Sequence, residues 1–145
     1  MSRWYPEIVT HWDATKAARM GRYAALGLAA WLGAPVIIAA VFRHVRNGIV
    51  SPVEIAVIAL LVGLSLYGAK RFANGQGARI GSVLLIVLVV EAAKRIMLTF
   101  GGTPSFGIFD AVVTFMIFCG LLNGVRGARA LLHLTPDESL KDVFE

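Results

Sequence analysis

The stretch IGSVLLIVLVVEAAKRIMLTFGGTPSFGIFDAVVTFMIFCGLL, residues 80–122, consists of two long apolar runs separated by Gly101-Gly102. A helix needs roughly 20 apolar residues to cross the hydrocarbon core of a bilayer, and each run approaches that length. Because lipid offers no partner to an unpaired backbone amide, we expect both runs to be helical. The short connection between them predicts a tight helical hairpin.

Two further apolar runs precede this hairpin. The sequence therefore predicts an all-α integral membrane protein, an up-down bundle with transmembrane helices at about residues 23–42, 52–72, 80–100 and 105–125. Composition agrees, since 57% of the 145 residues are hydrophobic and 16% charged. A soluble domain carries about 45–50% apolar and about 25% charged residues.

The boundaries of these runs carry helix-start and turn signals. Ser51-Pro52-Val53-Glu54 is typical of a helix start, with proline at the first helical position and a capping glutamate. Thr103-Pro104 suggests the same for the fourth helix, and Asn74-Gly75-Gln76-Gly77 predicts a turn.

The segments outside the four-helix domain (residues 23–134) are predicted to lie at or beyond the membrane surface. Residues 1–22 are expected to lie at the headgroup level and to include a short interfacial helix capped by Thr10. Residues 135–145 are expected to form a cytoplasmic tail, in which Thr135-Pro136-Asp137-Glu138 predicts another short helix.

Lysine and arginine are unevenly distributed around the predicted spans. Ten flank the N-terminus, the second connection and the C-terminus, whereas the other side has only Arg43 and Arg46. The positive-inside rule then places both termini in the cytoplasm, with the chain in the cell (inner) membrane. The net charge of +5 thus reflects membrane orientation, and nucleic acid is not an expected partner.

Ionisable residues inside the hairpin are the most informative feature. Glu91, Lys94 and Arg95 share a face of the third helix, since they are three and four residues apart. Counting outward from the glycine turn places Arg95 level with Asp110 of the fourth helix. We therefore expect an intramembrane polar cluster of Glu91, Lys94, Arg95 and Asp110.

This cluster has two competing interpretations. As a structural network it would fix the hairpin or contact a partner subunit, and its local neutrality favours this. As a transport site, Glu91 and Asp110 would relay protons or ions, since ionisable residues inside membranes often line such pathways. Lys94 and Arg95 could also extend toward the outer interface.

Small residues recur at helical spacing in two of the predicted spans. Ala25, Ala29 and Gly33 form a row in the first, and Gly120 and Gly124 form a GxxxG motif in the fourth. Such rows let helix backbones approach closely in lipid. They could pack within the bundle or between protomers, and the sequence leaves both open.

Polar residues cluster where the fourth helix ends. Asn123, Arg126 and Arg129 are either an orientation anchor or a site for an anionic lipid headgroup.

No cofactor, metal or catalytic site is indicated. Three histidines lie near or beyond helix ends, and Cys119 is the only thiol, so neither a haem nor a zinc site is expected. The sequence lacks GxSxG, HExxH and phosphate-loop motifs. These patterns favour a non-enzymatic protein that contacts membrane lipids and forms homo-oligomers or joins other membrane subunits. The alternative is a homo-oligomeric channel or transporter using Glu91 and Asp110.

Overall fold

The computed structural model describes residues 8–44, 52–102 and 107–134. These residues form four α-helices and no strand: α1, His11–His44; α2, Pro52–Ala73; α3, Ala78–Phe100; and α4, Ile108–Ala130. The all-helical fold predicted from the apolar runs is thus confirmed.

Three of the helices are long and apolar enough to cross a membrane. They are α1 (over His11–Ile38), α2 and α4. The fourth, α3, has 23 residues and would extend roughly 34 Å. The apolar run of α3 is interrupted by Glu91, Lys94 and Arg95. These charged residues distinguish α3 from the other three helices.

The first helix differs from the prediction of a separate interfacial helix before residue 23. Thr10 does cap it, because its Oγ1 accepts a hydrogen bond from the Asp13 N–H. The helix then continues without a break through His44, over 34 residues or about 51 Å. Hydropathy rises after Arg22, but no residue there opposes a helical backbone, so one helix forms where two were expected.

The helix ends follow local sequence signals. Helix α2 begins at Pro52, as predicted, and ends in a Schellman turn: the Gln76 N–H donates to the Arg71 carbonyl, and Gly75 has a φ of 70°. Helix α4 begins at Ile108, later than the expected 105. The predicted Thr103-Pro104 start, and the short helix in residues 135–145, lie outside the described residues.

The ring of Phe72 joins all four helices at one end of the bundle. A Cβ atom added to Gly21 of α1 would come within 2.8 Å of the ring, and one on Gly81 of α3 within 2.5 Å. The ring likewise fills the space beside Gly77 and beside Gly124 of α4. Phe72 is 1% exposed. We call this region, where α1 and α3 begin and α2 and α4 end, the packed end.

The opposite end of the bundle is much less closely packed. The first residues of α2, the last twelve of α3 and the first of α4 are mostly exposed, and α2 contacts α3 only sparsely. Large apolar side chains on this open end face outward, including Val53, Leu60, Met97 and Phe109. Apolar surface of this kind suits contact with lipid or another protein.

The approach of α1 to α4 predicts that Gly124→Ala will destabilise the bundle. The added Cβ would overlap the Gly21 Cα, and backbone cannot rotate away as a side chain can. We expect a loss of about 1–3 kcal/mol in the free energy of unfolding, measured by denaturant titration in detergent.

Gly63→Ala is the matched control, because nothing lies within 4 Å of a Cβ placed there. It should change stability by no more than about 1 kcal/mol, in the stabilising direction, since alanine is the better helix former. Equal losses from the two substitutions would contradict the close α1–α4 contact.

Candidate functional site

The inner face of α3 changes from apolar to charged along its length. Gly81, Leu84 and Leu88 are buried at spacings of three and four residues. The same spacing continues to Glu91 and Arg95, so both lie on the continuation of the packing face. The candidate site therefore begins where the closely packed part of α3 ends.

Arg95 connects α3 to two other helices. Its Nη1 lies 3.5 Å from Oδ1 of Asp110 on α4, with the two side chains 18% and 30% exposed. Its guanidinium carbon lies 3.9 Å from the centre of the Trp31 ring on α1, within cation–π range. The ion pair lies at the level expected from the glycine turn, and partial burial strengthens it relative to a surface pair.

Asp110 has a second role at the start of α4. Its Oδ2 accepts a hydrogen bond of 3.2 Å from the Gly107 N–H. The carboxylate also lies in the first turn of the helix, where the helix dipole favours negative charge. Both oxygens of Asp110 are thus engaged, one by Arg95 and one by the backbone.

Glu91 and Lys94 form an ion pair within α3. Among the described residues, this pair is separate from the ion pair between Arg95 and Asp110. Lys94 Nζ lies 3.8 Å from Glu91 Oε1. The Lys94 side chain is 64% exposed and the Glu91 side chain 19%. Of the four expected cluster members, the structure therefore pairs Arg95 with Asp110 inside the bundle and directs Lys94 outward.

The small-residue rows lie between helices of the same chain. A Cβ added to Gly120 would come within 2.6 Å of the Ala24 Cβ, and Gly124 lies against Gly21, so the α4 motif packs on α1. On the adjacent stripe of α1, Ala25 and Ala29 are buried. Gly33 of that row lies beside Val62 of α2.

The polar group at the end of α4 is arranged around a buried asparagine. Asn123 is buried, and its Oδ1 accepts a hydrogen bond of 3.4 Å from Nη1 of the partly buried Arg126. Arg129 is exposed. The three side chains do not converge on one described cavity, although Asn123 lines an apolar groove between α1 and α4.

The residues that sequence reasoning missed are Trp31 and Thr114. Trp31 Nε1 and Thr114 Oγ1 are buried and lack a hydrogen-bond partner among the described residues. Tryptophan is usually enriched at membrane interfaces. Trp31 instead lies in the middle of the predicted first span. This unusual position could have indicated that its side chain contacts another helix inside the bundle.

Metal-site geometry is absent from the described part of the chain. There, no group of three or more His, Cys, Asp or Glu side chains lies close enough to hold a metal ion. Comparison with protein-family models, curated proteins and solved structures finds no match to this chain. Inference about function therefore depends on the arrangement of its own residues.

The two roles of Asp110 predict a graded effect of substitution. Asp110→Asn keeps an oxygen for the Gly107 N–H but loses the charge opposite Arg95. We expect it to cost about 1–2 kcal/mol of unfolding free energy, less than the about 3–5 kcal/mol of a fully buried pair. Asp110→Ala should cost about 0.5–2 kcal/mol more, because it also removes the cap.

Chemical denaturation of the purified protein in detergent measures both values. Ser82→Ala serves as a control on the same helix, replacing a side chain that bonds within α3 at the Ala78 carbonyl. Identical stabilities for Asp110→Asn and Asp110→Ala would contradict the capping role.

Proposed function

We propose that this chain is a small non-enzymatic integral membrane protein, an oligomer-forming or accessory scaffold subunit of a larger membrane complex. It would cross the cell (inner) membrane four times, with both termini in the cytoplasm. The observation that carries the proposal is the exposed Lys94, which lies inside a membrane-length helix and faces away from the bundle.

Support for a fourth crossing comes from the connections of α3. A turn of only a few residues joins it to α2, and a short segment joins it to α4. Both neighbours are long and apolar enough to span, and α3 packs along α4. At roughly 34 Å, α3 is also long enough for a hydrocarbon core of about 30 Å.

Four crossings predict that both termini are on the same side of the membrane. Epitope tags on the two termini should both be cleaved by protease in inverted vesicles and both be protected in right-side-out cells. A tag fused between residues 45 and 50 should show the reverse pattern. Termini on opposite sides would instead indicate three crossings, with α3 outside the bilayer core.

The direction of the Lys94 side chain argues for a protein neighbour. Lys94 lies six residues, or about 9 Å, before the end of α3, so a lysine there could reach the outer interface. Its ammonium instead lies beside Glu91, which is one turn closer to the helix middle. A charge held inside the bilayer costs up to about 2.5–3.5 kcal/mol, the value at its centre, unless the charge faces protein or water.

The subunit proposal predicts that Lys94→Leu will weaken the native complex. If a partner surface supplies a polar group opposite Lys94, the substitution leaves that group unpaired, at a cost of about 2–5 kcal/mol. The mass of the complex extracted gently from native membranes, measured by native mass spectrometry, should fall to that of the isolated chain.

Lys16→Leu is the matched control, because Lys16 is an exposed lysine on α1 near the packed end. It should leave the mass of the complex unchanged. If Lys94→Leu also leaves the complex intact and raises stability, Lys94 faces lipid and the subunit proposal fails at this site. A wild-type chain that is monomeric and without partners would contradict the proposal as a whole.

The alternative is a homo-oligomeric ion or proton channel or transporter using Glu91 and Asp110. The position of Glu91 favours it, since this half-buried carboxylate lies about 3 Å from the middle of α3. The two bonds to Asp110 weigh against that residue as a carrier. Glu91→Gln should abolish flux in liposomes while preserving the fold if this alternative holds, and unaltered flux would exclude Glu91 from it.

A further inference from the structure

A cavity of about 580 Å³ lies at the packed end, between the α2–α3 turn and the end of α4. Its lining changes in character with position along the helices. Arg71, Gln76 and Arg79 lie at or beside the turn, whereas Tyr67 and Val83 lie one helical turn further along α2 and α3. Ile80, with Ala128 of α4 and Leu132 just beyond it, completes the apolar part of the lining. The cavity therefore has a cationic mouth and an apolar inner part.

Arg71 is held in place at the mouth. Its Nη1 donates a hydrogen bond of 2.7 Å to Oε1 of Gln76, across the turn. Its guanidinium carbon lies 5.8 Å from the centre of the Tyr67 ring. Because a guanidinium has five N–H donors, the bond to Gln76 leaves others to bind an anion.

Arg79 adds a second positive charge to the same mouth. It is exposed, and no described residue forms an ion pair with it or with Arg71. Arginine is well suited to phosphate because its planar donors can bind two oxygens at once. The adjacent start of α3 adds to the attraction, since Gly77 provides no side-chain cap and the helix dipole is positive there.

We infer that this cavity binds an anionic phospholipid, with the headgroup phosphate between Arg71 and Arg79 and an acyl chain along Ile80 and Val83. Charge complementarity selects the headgroup, and the apolar inner part selects a lipid over a soluble phosphate. The inference rests on the proposed crossing by α2 and α3, which places the mouth at the cytoplasmic surface. It does not depend on a partner subunit.

The test uses the purified full-length chain in detergent, titrated with phosphatidylglycerol or phosphatidylcholine and analysed by native mass spectrometry. The wild-type chain should bind the first phosphatidylglycerol about tenfold more tightly than phosphatidylcholine. The double variant Arg71→Gln/Arg79→Gln should reduce this preference to about twofold or less. If that variant does not fold, Arg79→Gln alone provides the test, because Arg79 has no described side-chain partner.

The matched control is Lys16→Gln/Lys70→Gln, which removes two exposed positive charges at the same end without touching the cavity lining. It should keep the preference within about twofold of wild type. Equal loss in both double variants would mean that a diffuse basic surface attracts the lipid, which would overturn the site. A wild-type chain without preference would also overturn it.

A competition experiment distinguishes binding of a phospholipid from binding of soluble phosphate. Inorganic phosphate at millimolar concentration should leave bound phosphatidylglycerol in place if the acyl chain contributes to binding. Complete displacement would overturn the lipid assignment in favour of a soluble anion. Lipid preference in a chain that purifies without partners would preserve this inference while contradicting the proposed subunit role.

Discussion

Placement of the Phe72 ring among four glycines is the contact on which the rest of the fold depends. These glycines come from α1 (Gly21), from the start of α3 (Gly77 and Gly81) and from α4 (Gly124), and each leaves space that a side chain would otherwise fill. In lipid, where apolar surfaces gain little from leaving the solvent, close packing is the main source of helix association. The packed end is therefore fixed by shape, whereas the first residues of α2 and the last twelve of α3 are mostly exposed.

The change in burial along α3 explains where its charged residues lie. Close to Phe72 the inner face of α3 is filled by Gly81, Leu84 and Leu88, and no space remains for a polar group. Beyond Leu88 most residues of α3 are exposed, so few apolar contacts attach this part of the helix to the bundle. Arg95 supplies another attachment, through its ion pair and its ring contact, and thereby holds α1, α3 and α4 together at the looser end.

Local patterns were enough to predict the helices, the start of α2 at Pro52, the turn at 74–77 and the level of Arg95 with Asp110. Each follows from spacing along one segment or across one short turn. The prediction divided the chain at Arg22, where hydropathy rises, although α1 continues through this point. Hydropathy was a misleading guide here, because the tendency to form a helix does not change at Arg22. The surroundings of Phe72 and the direction of Lys94 depend on how distant segments meet, which no local pattern contains.

The two basic residues of the α3 ion pairs, Arg95 and Lys94, differ in how exposed they are and in how many groups of the chain surround them. Arg95 is 18% exposed and has both a carboxylate and an aromatic ring as neighbours within its own chain. Lys94, one residue away, is 64% exposed, and its ion-pair partner among the described residues is Glu91, at 3.8 Å. One helix thus carries a charge that the bundle accommodates and a charge that it leaves on its surface. Because lipid would accommodate such a charge poorly if α3 spans the membrane, this contrast is what supports the proposal of a protein neighbour at the open end of α3.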